Sequence, residues 1–155
     1  MLEERLKDLK LTCIADQIDR WLQEAARHQW PYDDFLLKLC QEELSNKQEK
    51  RCDLNIKLAK FPYIKTLESF DFSYQTSLNQ GQIKDLSKCR WIANGENLIF
   101  LGPPGVGKTH LAVALGIEAI KKGYRTLFVS TQGLLASLAK ANSENKLEER
   151  IRALC

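Results

Sequence analysis

The run Gly102-Pro103-Pro104-Gly105-Val106-Gly107-Lys108-Thr109 constrains what this chain can fold into more than any other feature. It has the spacing G-x-x-x-x-G-K-[ST], which works only with a strand before it and a helix after it. Glycines in such a loop let successive backbone N–H groups converge on phosphate oxygens with no Cβ in the way. Lys108 adds a point charge for the β- and γ-phosphates of a nucleotide, and the Thr109 hydroxyl offers one oxygen to Mg²⁺. The helix that follows turns its positive dipole end on the same phosphates. At ordinary residue frequencies a chain of this length matches the pattern by chance about once in 200 trials.

The flanks agree with that requirement. Asn97, Leu98, Ile99, Phe100 and Leu101 read as a short buried strand entering the loop. Residues 108–122 carry Leu111, Ala112, Val113, Ala114, Leu115, Ile117 and Ala119, and Gly123 stands where a helix-stopping glycine belongs. The competing reading is a Gly/Pro turn between two core elements, and the phosphate loop is preferred over it.

Size and composition narrow the class. The chain has 155 residues, enough for one domain or two small ones, and its 44% hydrophobic and 28% charged content describes a soluble globular protein. A net charge of +3 permits nucleic-acid binding without implying it. The N-terminus is charged throughout, unlike a secretory leader, and no apolar run approaches the ~18 residues of a membrane span. Cys13, Cys40, Cys52, Cys89 and Cys155 are scattered and odd in number, which fits reduced packing thiols in a cytoplasmic protein better than disulfides or a zinc site.

Three regions follow in order: a helical N-terminal domain over 1–68, a connecting segment over 69–96, and the phosphate-loop domain over 97–155. Thr12 reads as an N-cap. Ile14, Ile18, Trp21, Leu22 and Ala25 then occupy an arc of about 100° on one helix face. Trp30-Pro31 breaks that helix, and Asp33-Asp34 opens a second, continued by Phe35, Leu36, Leu39, Cys40 and Leu44. Phe61-Pro62 ends the helical region. A helix is expected over 82–91, a second strand over 125–130, and helices over 134–141 and 147–154.

With these pieces assembled, the chain resembles the IstB-like AAA+ ATPases, helpers of insertion-sequence transposases. The matching stretches are Leu9-Lys10-Leu11, Leu58-Ala59-Lys60-Phe61-Pro62, Lys65-Thr66-Leu67, Phe70-Asp71-Phe72 and the long run 97–115. The continuation His110-Leu111-Ala112 after the loop is typical of IstB-like and DnaC-like proteins. The resemblance implies an α/β fold with a P-loop NTPase core of AAA+ type, preceded by an α-helical N-terminal domain. It also implies ATP and Mg²⁺ as cofactors, duplex DNA bound without sequence preference, a transposase as partner, and a homo-oligomer of the full-length protein.

The chain also departs from that pattern. In the family an apolar strand ending in an acidic pair, the Walker B element, follows the second strand and its helices. Here the sequence reaches Ile151-Arg152-Ala153-Leu154-Cys155 about where that strand would begin. The expectation is therefore a core truncated after its second strand, with a binding loop but without the sensors and arginine finger on which phosphoryl transfer relies. The first two strands are not neighbours in AAA+ sheets, so each would expose its backbone. No catalytic residue is identified, and hydrolysis by this chain alone is not expected. The alternatives are a DnaC-like helicase loader and a non-hydrolysing interaction module.

Three further features carry alternatives. Lys47, Lys50, Arg51, Lys57, Lys60 and Lys65 outnumber Glu49 and Asp53, and on a helix the first four share an arc of about 120°. That strip is either a phosphate-contacting surface or a solvated face, since Leu54 falls in the same arc. Phe70, Phe72 and Tyr74 lie either around an adenine or in a core, with the core preferred. His28 and His110 have no partners at metal or triad spacing and receive no catalytic role.

Overall fold

The structure is a computed structural model that describes residues 1–73 and 78–154. Tyr74 and Cys155 lie outside the described residues. Two compact units divide the chain at Leu54 and Asn55.

The first unit holds α1 (Leu2–Asp8), α2 (Thr12–His28) and most of α3 (Tyr32–Leu58). Ile14, Ile18 and Trp21 of α2 meet Leu39 of α3 in one buried cluster, and Leu6, Leu11, Trp30 and Phe35 pack around it. This is the amphipathic face expected for α2, with Leu22 displaced to its exposed rim. On α3 Leu39 and Glu43 are buried and Phe35 is half-buried, while Leu36, Cys40 and Leu44 stay exposed. Gln29, at φ 50°, closes α2 with its N–H on the Ala25 carbonyl, which the Trp30 N–H also reaches at 3.1 Å.

The start of α2 differs from expectation. Leu11 is the N-cap and Thr12 the first helical residue, and no hydroxyl caps the helix. The acceptor comes from the neighbouring helix instead. Glu43 of α3 is 3% exposed, and its Oε2 accepts the Ile14 N–H at 3.0 Å. Lys47 stands 3.6 Å from the other carboxylate oxygen, one turn along α3. A carboxylate at a helix N-terminus also meets the positive end of the helix dipole. Burial pushes the thiol of the adjacent Cys13 above its ordinary pKa, and the charges of Glu43 and Glu42 raise it further.

The second unit holds α4 (Gln80–Leu86), α5 (Arg90–Ala93), α6 (Lys108–Lys121), α7 (Thr131–Ser143) and α8 (Leu147–Arg152). The one helix expected over 82–91 is two short ones. Cys89 adopts φ 58° at their junction and interrupts the helical hydrogen bonds. Asn79 and Ser130 cap α4 and α7, their side chains accepting the Gln82 and Gly133 N–H groups. Helix α6 is the centre of the unit, with Leu111, Val113, Ala114, Leu115, Ile117, Ala119 and Ile120 all buried. Gly123, at φ 90°, ends it, and the Tyr124 N–H returns to the Ala119 carbonyl at 3.0 Å.

The expected α/β core of AAA+ type is overturned by this unit. Every regular element among the described residues is a helix, and neither a strand nor a sheet is present among them. The stretches expected as strands, 97–101 and 125–130, carry no regular secondary structure. Their exposure alternates as a strand's would: Leu98, Phe100, Thr126 and Phe128 are partly covered, while Ile99, Leu101, Leu127 and Val129 face outward. A strand, however, is made by its ladder. No ladder joins the two stretches, and the Phe128 N–H pairs with the Ala59 carbonyl just beyond α3, at 2.7 Å. The apolar pattern gave each stretch its inward face without giving it a neighbour.

Candidate functional site

The loop residues 102–109 all lie at one end of α6. Gly105 and Gly107 have φ of 85° and 87°, in the left-handed region that glycine enters without strain. Gly107 is the N-cap of α6, and the first helical hydrogen bond runs from the Leu111 N–H to its carbonyl at 2.9 Å. The N–H groups of Lys108, Thr109 and His110 therefore head the helix with no intrahelical acceptor. No side chain caps this end, and no acidic residue stands in its first turn. The result is an electropositive cluster of backbone donors.

Lys108 is folded back over the loop. Its Nζ donates to the Gly102 carbonyl at 2.9 Å and to the Pro103 carbonyl at 2.6 Å. The ammonium is thus held at the start of the loop by neutral acceptors that a phosphate oxygen would outcompete. Gly102, Pro103, Pro104, Gly105 and Thr109 are exposed, and Val106, Gly107 and Lys108 are half-buried. A cavity of about 250 Å³ opens under the loop, walled by Leu78, Phe100, Leu101, Val106 and Leu111, with Lys108 at its edge. No cluster of three or more His, Cys, Asp or Glu that could hold a metal occurs among the described residues. A magnesium ion here would take the Thr109 hydroxyl together with phosphate oxygens and water.

The aromatic segment before the loop packs against it. Phe70 is 8% exposed and shares a cluster with Ile83 and Leu111, bordered by Leu67, Phe72, Leu78, Leu86 and Phe100. Core packing is thus the role the structure gives Phe70. A Cβ built on Gly107 would lie 2.6 Å from Phe70 Cε2, so glycine is required there by space as well as by φ. His110, to which the sequence assigned no role, has its ring centroid 5.0 Å from that of Phe70 and its Nε2 3.0 Å from the Thr66 carbonyl oxygen. The sequence hinted at this only through its place directly after the loop threonine and the family-like continuation His110-Leu111-Ala112.

On α3, Lys47, Lys50, Arg51 and Lys57 are exposed, as are Lys60 and Lys65 beyond it. Lys47 is already committed to Glu43. None of the other five forms an ion pair among the described residues. No helix among the described residues is long and apolar enough to cross a membrane.

Comparison with known proteins places the chain. The family described as IstB-like ATP binding protein matches residues 4–155. A relative from Pseudomonas aeruginosa, named as a candidate ATP-binding protein of insertion sequence IS21, is 38% identical over 99% of this chain and 58% of its own length. A similarly named relative of insertion sequence IS5376 from Geobacillus stearothermophilus is 39% identical over 97% of this chain and 62% of its own. A third, of insertion sequence IS232 from Bacillus thuringiensis, is 36% identical over 97% and 60%. The chain spans less than two thirds of the length of each. A family match over nearly the whole chain, with relatives alike in name and in extent of match, leads to one assignment: this chain belongs to the IstB-like ATP-binding proteins.

Proposed function

We propose that the chain binds ATP and ADP through residues 102–109 and serves as an ATP-binding helper of DNA transposition. The observation that carries the reading is the uncapped start of α6, three backbone donors without an acceptor, on a loop whose lysine, Lys108, is held only by neutral carbonyls. In this reading the amides of Gly105, Val106 and Gly107 and of the first helical turn hold the phosphates. Lys108 leaves its carbonyl acceptors for the β- and γ-phosphates, and Thr109 contributes its hydroxyl to Mg²⁺. The names of the relatives, which join ATP binding to insertion sequences, support the assignment to transposition. A transposase and duplex DNA are the partners it calls for, with Lys50, Arg51 and Lys57 of α3 as the phosphate-contacting cations. A cytoplasmic setting belongs to the same reading.

Titration calorimetry tests the nucleotide reading. ADP and Mg–ATP should each release heat with the wild-type chain, and Lys108→Ala should lose at least tenfold in affinity. A cooperatively folded wild-type chain that gives no heat with either nucleotide would overturn it.

A further inference from the structure

The first turn of α6 is tied to a segment distant in sequence, the turn at residues 66–70. Ser69 Oγ donates to the Thr66 carbonyl at 2.9 Å and accepts the Thr66 N–H at 3.2 Å, and the Phe70 N–H reaches the Leu67 carbonyl at 3.2 Å. His110 closes this turn onto the helix. Its Nε2 lies 3.0 Å from the Thr66 carbonyl oxygen and 3.3 Å from Ser69 Oγ. A carbonyl oxygen only accepts, so Nε2 carries the proton in this contact. The Ser69 proton is already directed at the same carbonyl, which leaves an oxygen lone pair towards the imidazole. One residue along the turn, Phe70 lies edge-on to both His110 and Phe72, at 5.0 and 4.8 Å, and its ring takes the space that a side chain on Gly107 would need.

Gly107 and His110 are the N-cap and the third residue of α6, so they bracket the two residues whose side chains address a nucleotide. Both meet the same turn, Gly107 where the Phe70 ring leaves no room for a side chain and His110 through its hydrogen bond. The arrangement fixes where the amides of Lys108, Thr109 and His110 point. Donors held in place before a ligand arrives bind it more tightly than donors that must first be ordered.

We propose that His110 is a positioning residue for the nucleotide, a latch that holds the donor cluster of α6 against the turn at residues 66–70. The proposal rests on the nucleotide reading above and extends it to a residue outside the phosphate loop. By the same linkage, a nucleotide that orders the first turn of α6 also tightens the turn at residues 66–70.

The test compares four variants of the intact chain with wild type by ADP calorimetry and thermal melts. Gln extends its amide about as far as the imidazole Nε2, so His110→Gln should stay within about threefold of wild type. His110→Asn falls short of the carbonyl, His110→Phe keeps only the ring against Phe70, and His110→Ala keeps neither. Each of these three should lose about three- to tenfold, the range of one net hydrogen bond. Amide exchange supplies a readout that loss of bulk alone would not move. ADP should slow exchange at Thr66 and Phe70 in wild type and His110→Gln, and at saturation leave it unchanged in His110→Phe.

Equal affinities for wild type, His110→Asn and His110→Phe would overturn the latch while leaving the nucleotide reading intact. No binding by folded wild type would overturn both. Should His110→Ala fail to melt cooperatively, the ordering of Gln above Asn decides, and its absence counts against the latch.

Discussion

Two glycines of the loop share one backbone conformation and differ in surroundings. Gly105 has nothing within 4 Å of where a Cβ would stand, whereas Gly107 has Phe70 Cε2 at 2.6 Å. Gly105→Ala should therefore cost only the left-handed backbone, about 1–2 kcal/mol. Gly107→Ala adds the overpacking of a buried ring, a further ~1–3 kcal/mol. Urea melts should rank the two in that order, and equal losses would show that Phe70 yields freely. The loop itself was legible in the sequence because its chemistry is local, one residue type per position at a fixed spacing. Core packing was the preferred reading for Phe70, but its place beside Gly107 and the contacts of His110 were not legible, because they depend on a turn that the fold brings alongside α6. Lys108 was readable as a cation for phosphate, but not its present attachment to Gly102 and Pro103.

Among the elements, α3 shows why helices can be easier to find than their ends. Its length and its acidic first turn follow from the sequence, and so does the buried face of α2 that packs on it. The cap of α2 does not, since a local rule looks to Thr12 and the acceptor is Glu43, supplied by another helix. Glu43→Ala leaves the Ile14 N–H buried without an acceptor and should destabilise the first unit by about 1–3 kcal/mol. Glu43→Gln keeps an acceptor oxygen and should lose less, a difference that chemical denaturation resolves. The ion pair with Lys47 also changes the expectation for DNA. With Lys47 engaged, three of the four strip cations on α3 remain, Lys50, Arg51 and Lys57, and the affinity for duplex DNA should fall with a log–log salt slope near −2.7. Reversing Lys50 and Arg51 to Glu should flatten that slope and weaken binding equally on unrelated sequences. Filter binding across a salt series measures both, and an unchanged slope would make the strip a solvated face.

For the molecule as a whole, sequence patterning located the helices and mistook two extended stretches for strands. The alternation at 97–101 and 125–129 is real, and the side chains take inward and outward faces accordingly. Alternation reports one covered face, while a sheet needs hydrogen-bonded neighbours, which no pattern internal to a stretch can supply. The outward residues Ile99 and Leu101 accordingly stand 76% and 90% exposed. Longer-range dependence runs through the second unit in another form. Phe70 fits only while position 107 has no side chain, whereas Gly107 places no such demand on the size of residue 70. The two positions are therefore bound by an ordered history. A lineage can shorten residue 70 and keep its glycine, but enlarging residue 107 meets the ring at 70 and also a left-handed backbone that remains when the ring has gone. Descent through this pair of sites has a permitted direction.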